Sequence, residues 1–228
     1  MPIGVVRGDL AFYFQHPRTW GAALSAGYGV TDDFEIDATI LPMTFAPAVQ
    51  YGDPSLSGTY RFFNQPAVEI GAFLGITALT HNDNQRGYVT VTPGIPVLLR
   101  LGQSLRVDSG LFVPITFGGN SSVLLAAIVP VRATYQITDP LYLGANTGIG
   151  IADFSHPGDT IYAPLGMFGG YAISLGCSAL VDLSAHIGFP DLYLSGARGS
   201  IVTDNWETGV TASIYAPLGP AKCGNGAR

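Results

Sequence analysis

Charge is what this sequence has least of. Asp, Glu, Lys and Arg make up 11% of its 228 residues, against the ~25% of ordinary soluble domains, and its single Lys is Lys222. Sixteen acidic against ten basic residues leave a net charge of −6, which removes the basic footprint that nucleic-acid binding requires. Disorder is excluded from the other side, because 47% of the residues are apolar and mean hydropathy is +0.33. Uninterrupted apolar runs are missing too. The charge-free stretches 109–131 and 160–181 have the length of a membrane-crossing helix. The first is broken by Gly118-Gly119-Asn120-Ser121-Ser122, and the second carries Pro164, Gly166, Gly169, Gly170 and Gly176. Thirty Gly and sixteen Pro oppose long helices throughout. Only two Cys occur, Cys177 and Cys223, without metal-ligand spacing, so zinc is excluded. No basic region with an apolar core opens the chain, which reads as a mature form with an added Met.

What the sequence does have is alternation. Val68, Ile70, Ala72, Leu74, Ile76 and Ala78 fall on one face, with Glu69, Gly71, Phe73, Gly75 and Thr77 on the other. The segment 105–117 splits the same way, with Arg106, Asp108, Gly110 and Thr116 on its less apolar face. A period of two predicts strands with two unlike faces. With Gly, Pro, Asn and Asp clusters as turns, the expected strands are 4–14, 19–30, 34–45, 56–63, 67–79, 88–101, 104–117, 122–135, 141–151, 160–174, 178–189 and 205–216. The connections alternate in length. Short turns fall at Thr31-Asp32-Asp33, Asn64-Gln65-Pro66, Gly102-Gln103-Ser104, Thr138-Asp139-Pro140 and Leu175-Gly176-Cys177, and longer links at 46–55, 80–87, 118–121, 152–159 and 190–204. One short-turn end and one long-loop end predict an all-β, antiparallel up-and-down transmembrane barrel of about twelve strands, with the tight turns in the periplasm.

Charge placement supports the membrane reading. Arg7, Asp9, Glu35, Asp37, Arg61, Glu69, Arg100, Arg106, Asp108, Arg132, Asp182 and Glu207 all fall on the less apolar parity. A lipid-facing Arg or Lys costs ~2–4 kcal/mol at the bilayer midplane. A soluble ligand-binding barrel has the same parity with its faces reversed, but about one charge per strand is too few for a solvent-bathed outer wall. These twelve residues and His186 are therefore the expected lumen lining. Trp20, Tyr28, Phe34, Tyr60, Phe62, Tyr88, Phe117, Tyr135 and Trp206, near strand ends, are expected to form interfacial girdles.

Two segments repeat. Tyr28-Gly29-Val30-Thr31-Asp32-Asp33-Phe34 matches Tyr135-Gln136-Ile137-Thr138-Asp139-Pro140-Leu141, and Leu101-Gly102-Gln103-Ser104 followed by Val107-Asp108 matches Leu175-Gly176-Cys177-Ser178 followed by Val181-Asp182. Thr and Asp suit such turns because their side chains bond nearby backbone. On these segments the chain resembles the bacterial outer-membrane β-barrel proteins of porin-like type, over nearly its whole length. The resemblance implies a bacterial outer-membrane location with lipid around the wall, and no particular activity. Val202-Thr203-Asp204-Asn205-Trp206-Glu207 looks like a third copy of the turn and would make 192–202 a thirteenth strand. Even strand numbers in such barrels favour twelve, with 190–204 as the largest outer loop. With twelve strands, Cys177 and Cys223 share the periplasmic rim and form a possible disulfide. The whole chain then reads as one barrel domain, with 218–228 as a C-terminal tail.

Enzyme chemistry is thinly represented. Asp182, Ser184 and His186 share one strand face, but side chains two apart along a strand lie ~6–7 Å from each other, which is long for a catalytic relay. His16, His81 and His156 fall in outer links and read as solvated loop residues. No phosphate-cradling loop and no cofactor motif is present. The leading expectation is a narrow passive channel for small polar solutes, with Arg61, Arg100, Arg106 and Arg132 facing Glu35, Asp37, Glu69 and Asp108 across the lumen. The alternatives are a closed structural or adhesion barrel, an outer-membrane lipid hydrolase and a soluble ligand-binding barrel.

Overall fold

The computed structural model describes residues 1–45, 49–80, 87–118, 122–176, 179–195, 200–201 and 203–218. They form a closed antiparallel barrel of twelve staves. These are β1 (Val5–Gln15), β2 (Thr19–Gly29), β3 (Phe34–Thr44), β4 (Ser55–Asn64), β5 (Val68–Leu79), β6 (Tyr88–Leu101), β7 (Leu105–Phe112, continued by Ile115–Gly118), β8 (Ser122–Leu125, continued by Ala127–Gln136), β9 (Leu141–Ile151), β10 (Ile161–Ser174), β11 (Leu180–Leu194) and β12 (Glu207–Pro217). Each stave pairs with its neighbours in the chain, and β1 closes on β12 from Val5↔Pro217 to Gln15↔Glu207. Closure satisfies backbone donors and acceptors between staves, as crossing a hydrocarbon layer requires.

The two copies of the Thr-Asp turn fold alike. Val30 and Thr31 donate backbone N–H groups to the Phe34 carbonyl at 2.9 and 3.1 Å, and Ile137 and Thr138 donate to the Leu141 carbonyl at 2.9 and 3.2 Å. Gly102 and Gly176, both in tight turns, adopt φ of +74° and +67°, a region that favours glycine. The third copy is no tight turn: Asp204 and Trp206 lie at the long-loop end, bonded through their carbonyls to His16. Among the described residues there is no thirteenth stave. Ser200–Ile201 pairs back onto Tyr193 and Leu194, so β11 reaches Leu194 and the link after it begins later than residue 190.

Pro114 breaks β7 at Val113-Pro114, where a continuous strand over 104–117 was expected. Proline has no N–H to offer the ladder. Its carbonyl still accepts from Ala126 at 2.9 Å, while Val113 donates to Pro93 at 2.9 Å, so the wall stays joined across the gap.

The molecule is apolar on the outside. Leu10, Phe12, Trp20, Leu56, Tyr60, Leu74, Ile95, Leu143, Met167, Ile187 and Val210 are all exposed. Phe168, at 9% exposure, is the one buried apolar side chain among the described residues. A soluble barrel would show the reverse. At the long-loop end Phe14 makes tilted ring contacts with Trp20 at 4.6 Å and Trp206 at 5.3 Å, forming an aromatic belt with Phe12 and Phe45. Tyr88 does not join a belt. It shares the parity of Thr90, whose hydroxyl meets Thr116, and covers Gly118, so it points inward.

Candidate channel lumen

Period-two geometry sends residues 7 and 9, 35 and 37, 61, 69, 100, 106 and 108, 132, and 182 to one side of the wall. There all of them except Asp9 and Asp37 border two cavities of about 490 and 720 Å³. The first is bordered by Glu35, Arg61, Glu69, Arg100, Arg106, Asp108 and Arg132, and the second by Arg7, Asp182 and again Arg100, Arg106, Asp108 and Arg132. Arg100, Arg106, Asp108 and Arg132 border both cavities. These side chains lie near the tight-turn ends of their staves.

The ion pairs run along the wall rather than across the lumen. Glu69, 8% exposed, accepts from Arg100 at 2.5 Å and lies 3.7 Å from Arg61, both on staves flanking its own. Arg106 chelates Asp108 of the same strand, with Nε 2.8 Å from Oδ2 and Nη2 2.6 Å from Oδ1. Arg7 reaches Asp9 of its own strand at 2.9 Å and Asp37 at 2.7 Å. Adjacent staves lie ~4.8 Å apart, within reach of an arginine, so neighbours pair before opposite walls can. The expected cross-lumen partnership of Arg61, Arg100, Arg106 and Arg132 with Glu35, Asp37, Glu69 and Asp108 is therefore replaced by lateral pairs. The Glu35 carboxylate meets the Met1 amine instead.

Arg132 pairs differently. It sits opposite Asp108 in register, but Asp108 is held by Arg106, and the Arg132 guanidinium lies over the Phe168 ring, 3.9 Å from its centroid. Gly144 makes room for that ring: a Cβ there would lie 2.1 Å from Phe168 Cζ. Phe73 and Phe112 also point inward, in an edge contact at 5.3 Å. Their parity was readable, but nothing in the sequence marked them as lumen residues of interest.

The outer half of the lumen carries little charge. Ser25 meets Thr39 at 3.2 Å and Thr90 meets Thr116 at 2.8 Å. Tyr13, Tyr162 and His186 lie over Gly21, Gly150 and Gly209. At the mouth, Gln15 donates to Asn205 at 3.2 Å and Asn205 to Asp191 at 3.1 Å. Glu207 lies here, opposite Gln15 and Gly188.

The Asp182, Ser184, His186 row is not assembled for catalysis. Both Asp182 oxygens accept from the Tyr142 hydroxyl, at 3.0 and 2.9 Å, and His186 lies over Gly209. In the outer link, Asp153 accepts from the Ser155 hydroxyl at 2.6 Å and its N–H at 2.8 Å, with His156 at 3.4 Å. The Ser155 hydroxyl, followed by the Ser155 N–H, holds the Asp153 carboxyl below the usual carboxylate range. Cys177, Cys223 and His81 lie outside the described residues.

No protein-family model matches the sequence, and no curated protein matches it. Solved structures do. The chain is similar to the KdgM porin, seen in complex with disordered oligogalacturonate, at TM-score 0.60 and 8% identity, over 93% of this chain and 99% of that one. It is similar to the NanC porin at TM-score 0.61 and 9% identity, over 92% and 100%. It is also similar to the COG4313 outer membrane channel from Pseudomonas putida F1 at TM-score 0.61 and 12% identity, over 95% and 96%. The fold is thus that of the porin-like outer-membrane β-barrels, in a closed twelve-stranded form. At such identities the likeness extends to the fold alone.

Proposed function

We propose that the whole chain forms one barrel domain in a bacterial outer membrane and works as a narrow passive channel for small polar solutes, without enzyme activity. The observation that carries this reading is the pair of neighbouring cavities on the charged face of the wall, both lined by Arg100, Arg106, Asp108 and Arg132. The apolar outer wall and aromatic belt suit lipid. Arg7, Asp9, Glu35, Asp37, Arg61, Glu69, Asp182, His186 and Glu207 complete the proposed lining. Channel neighbours of similar length support the reading at the level of architecture. Purified, folded protein inserted in a planar bilayer is expected to give unitary current steps in potassium chloride. A folded preparation with no conductance would leave the closed structural barrel as the better account.

A further inference from the structure

The lumen wall is divided by charge. Staves β4 to β8 carry Arg61, Arg100, Arg106 and Arg132 against Glu69 and Asp108. Two carboxylates cannot neutralise four guanidinium groups, and Arg100 and Arg106 are direct cross-strand partners, an unfavourable like-charge placement without a counter-anion. Among the described residues Arg132 makes no ion pair. Its guanidinium carbon lies 3.9 Å from the Phe168 ring centroid, and an arginine that rests over a ring, with no carboxylate partner, keeps N–H donors for a forked carboxylate.

Much of the remaining lining of the first cavity is apolar. Phe73, Phe112, Pro96 and Pro130 border the 490 Å³ cavity together with the arginines, and that volume suits a small organic molecule. Hydroxyl side chains at the cavity are Thr59 and Ser109, and Ser109 donates to the Pro130 carbonyl at 2.8 Å. Glu69 and Asp108 are already engaged by arginines. A solute rich in hydroxyl groups would find few partners here, and burying unpaired polar groups is unfavourable.

We propose that this wall is a binding subsite for small carboxylates with a flat apolar body, Arg132 taking the carboxylate and the Phe73–Phe112 pair with Pro96 and Pro130 taking the body. This deepens the channel reading and rests on it only in placing the site in a solute-filled lumen.

The test separates binding from transport. Protein folded in detergent micelles is titrated calorimetrically with sodium benzoate, sodium acetate and sodium galacturonate, and benzoate is expected to bind more tightly than the other two. Arg132→Gln is expected to weaken benzoate binding about tenfold, the loss of one charge-assisted contact. Phe112→Ala is expected to reduce the preference for benzoate over acetate, and Arg18→Gln, in an outer link, to bind as the parent does. Folding of each variant is checked by the resistance of its mobility to SDS without heating. Equal binding of the three salts, tighter binding of galacturonate, no binding, or benzoate binding unchanged in Arg132→Gln would each overturn the proposal. Micelle binding is read without any current, so failure of the channel reading would show separately, as absence of conductance with benzoate binding intact.

Discussion

Two walls of one lumen use the same residue types differently. On β1 and β3, Arg7 lies between Asp9 and Asp37, with Glu35 nearby, so acid is in excess and the arginine is held from two sides. On β4 to β8 arginine is in excess: Arg61 and Arg100 share Glu69, Arg106 takes Asp108, and Arg132 rests on a ring. Net charge hides this, since the chain's −6 says nothing about a local surplus of positive charge. Field within a narrow, partly desolvated space follows the local arrangement.

The largest effect should come from Glu69→Gln. It strips the shared carboxylate from two arginines at a site 8% exposed. Breaking a buried pair costs ~3–5 kcal/mol, discounted here to about 2 kcal/mol because Arg61 and Arg100 keep 24% and 40% exposure. Urea unfolding in lipid vesicles would read it, and a midpoint equal to the parent's would mean the two arginines do not depend on Glu69. Next is Gly144→Ala. Its Cβ would meet Phe168 and lie 2.4 Å from the Ala133 carbonyl oxygen, so about 1–2 kcal/mol of overpacking is expected. Displacing the ring should also free Arg132. Unfolding checks the first effect, and a shift of reversal potential under a salt gradient the second.

Asp37→Asn should do less. Arg7 keeps Asp9, and the pair is partly solvated, so a change below about 1 kcal/mol is expected. A loss as large as that from Glu69→Gln would erase the contrast between the walls. The smallest effect belongs to the outer link. The Asp153 carboxyl is held low by Ser155, so its bonds contribute above the unfolded carboxylate range and are lost as pH falls through the folded value. The protection factor of the Ser155 amide should fall in the parent as pH drops through the folded value, below the ordinary carboxylate range near about pH 4. In Asp153→Asn the same step should be absent.

Much of the architecture could be read from the residues because strand faces and turns are encoded locally. Alternation in 68–78, Thr-Asp turns and Gly102 announce staves, faces and the tight-turn end without reference to partners. The break at Pro114 and the extension of β11 to Leu194 escaped, since each depends on what the neighbouring stave offers. The shared parity of the charged residues was likewise readable. Tyr88 was misplaced because an aromatic at a strand end suits a belt or a glycine gap equally well, and only Gly118 beside it decides.

The sequence by itself determined the alternating strand faces and which end carries the tight turns, because period and turn chemistry act over a few residues. Only the tertiary structure decided the pairing of charges. That Arg132 rests over Phe168 and not against Asp108, its partner in register, depends on Arg106 having already taken Asp108, and those relations exist only once the barrel is closed.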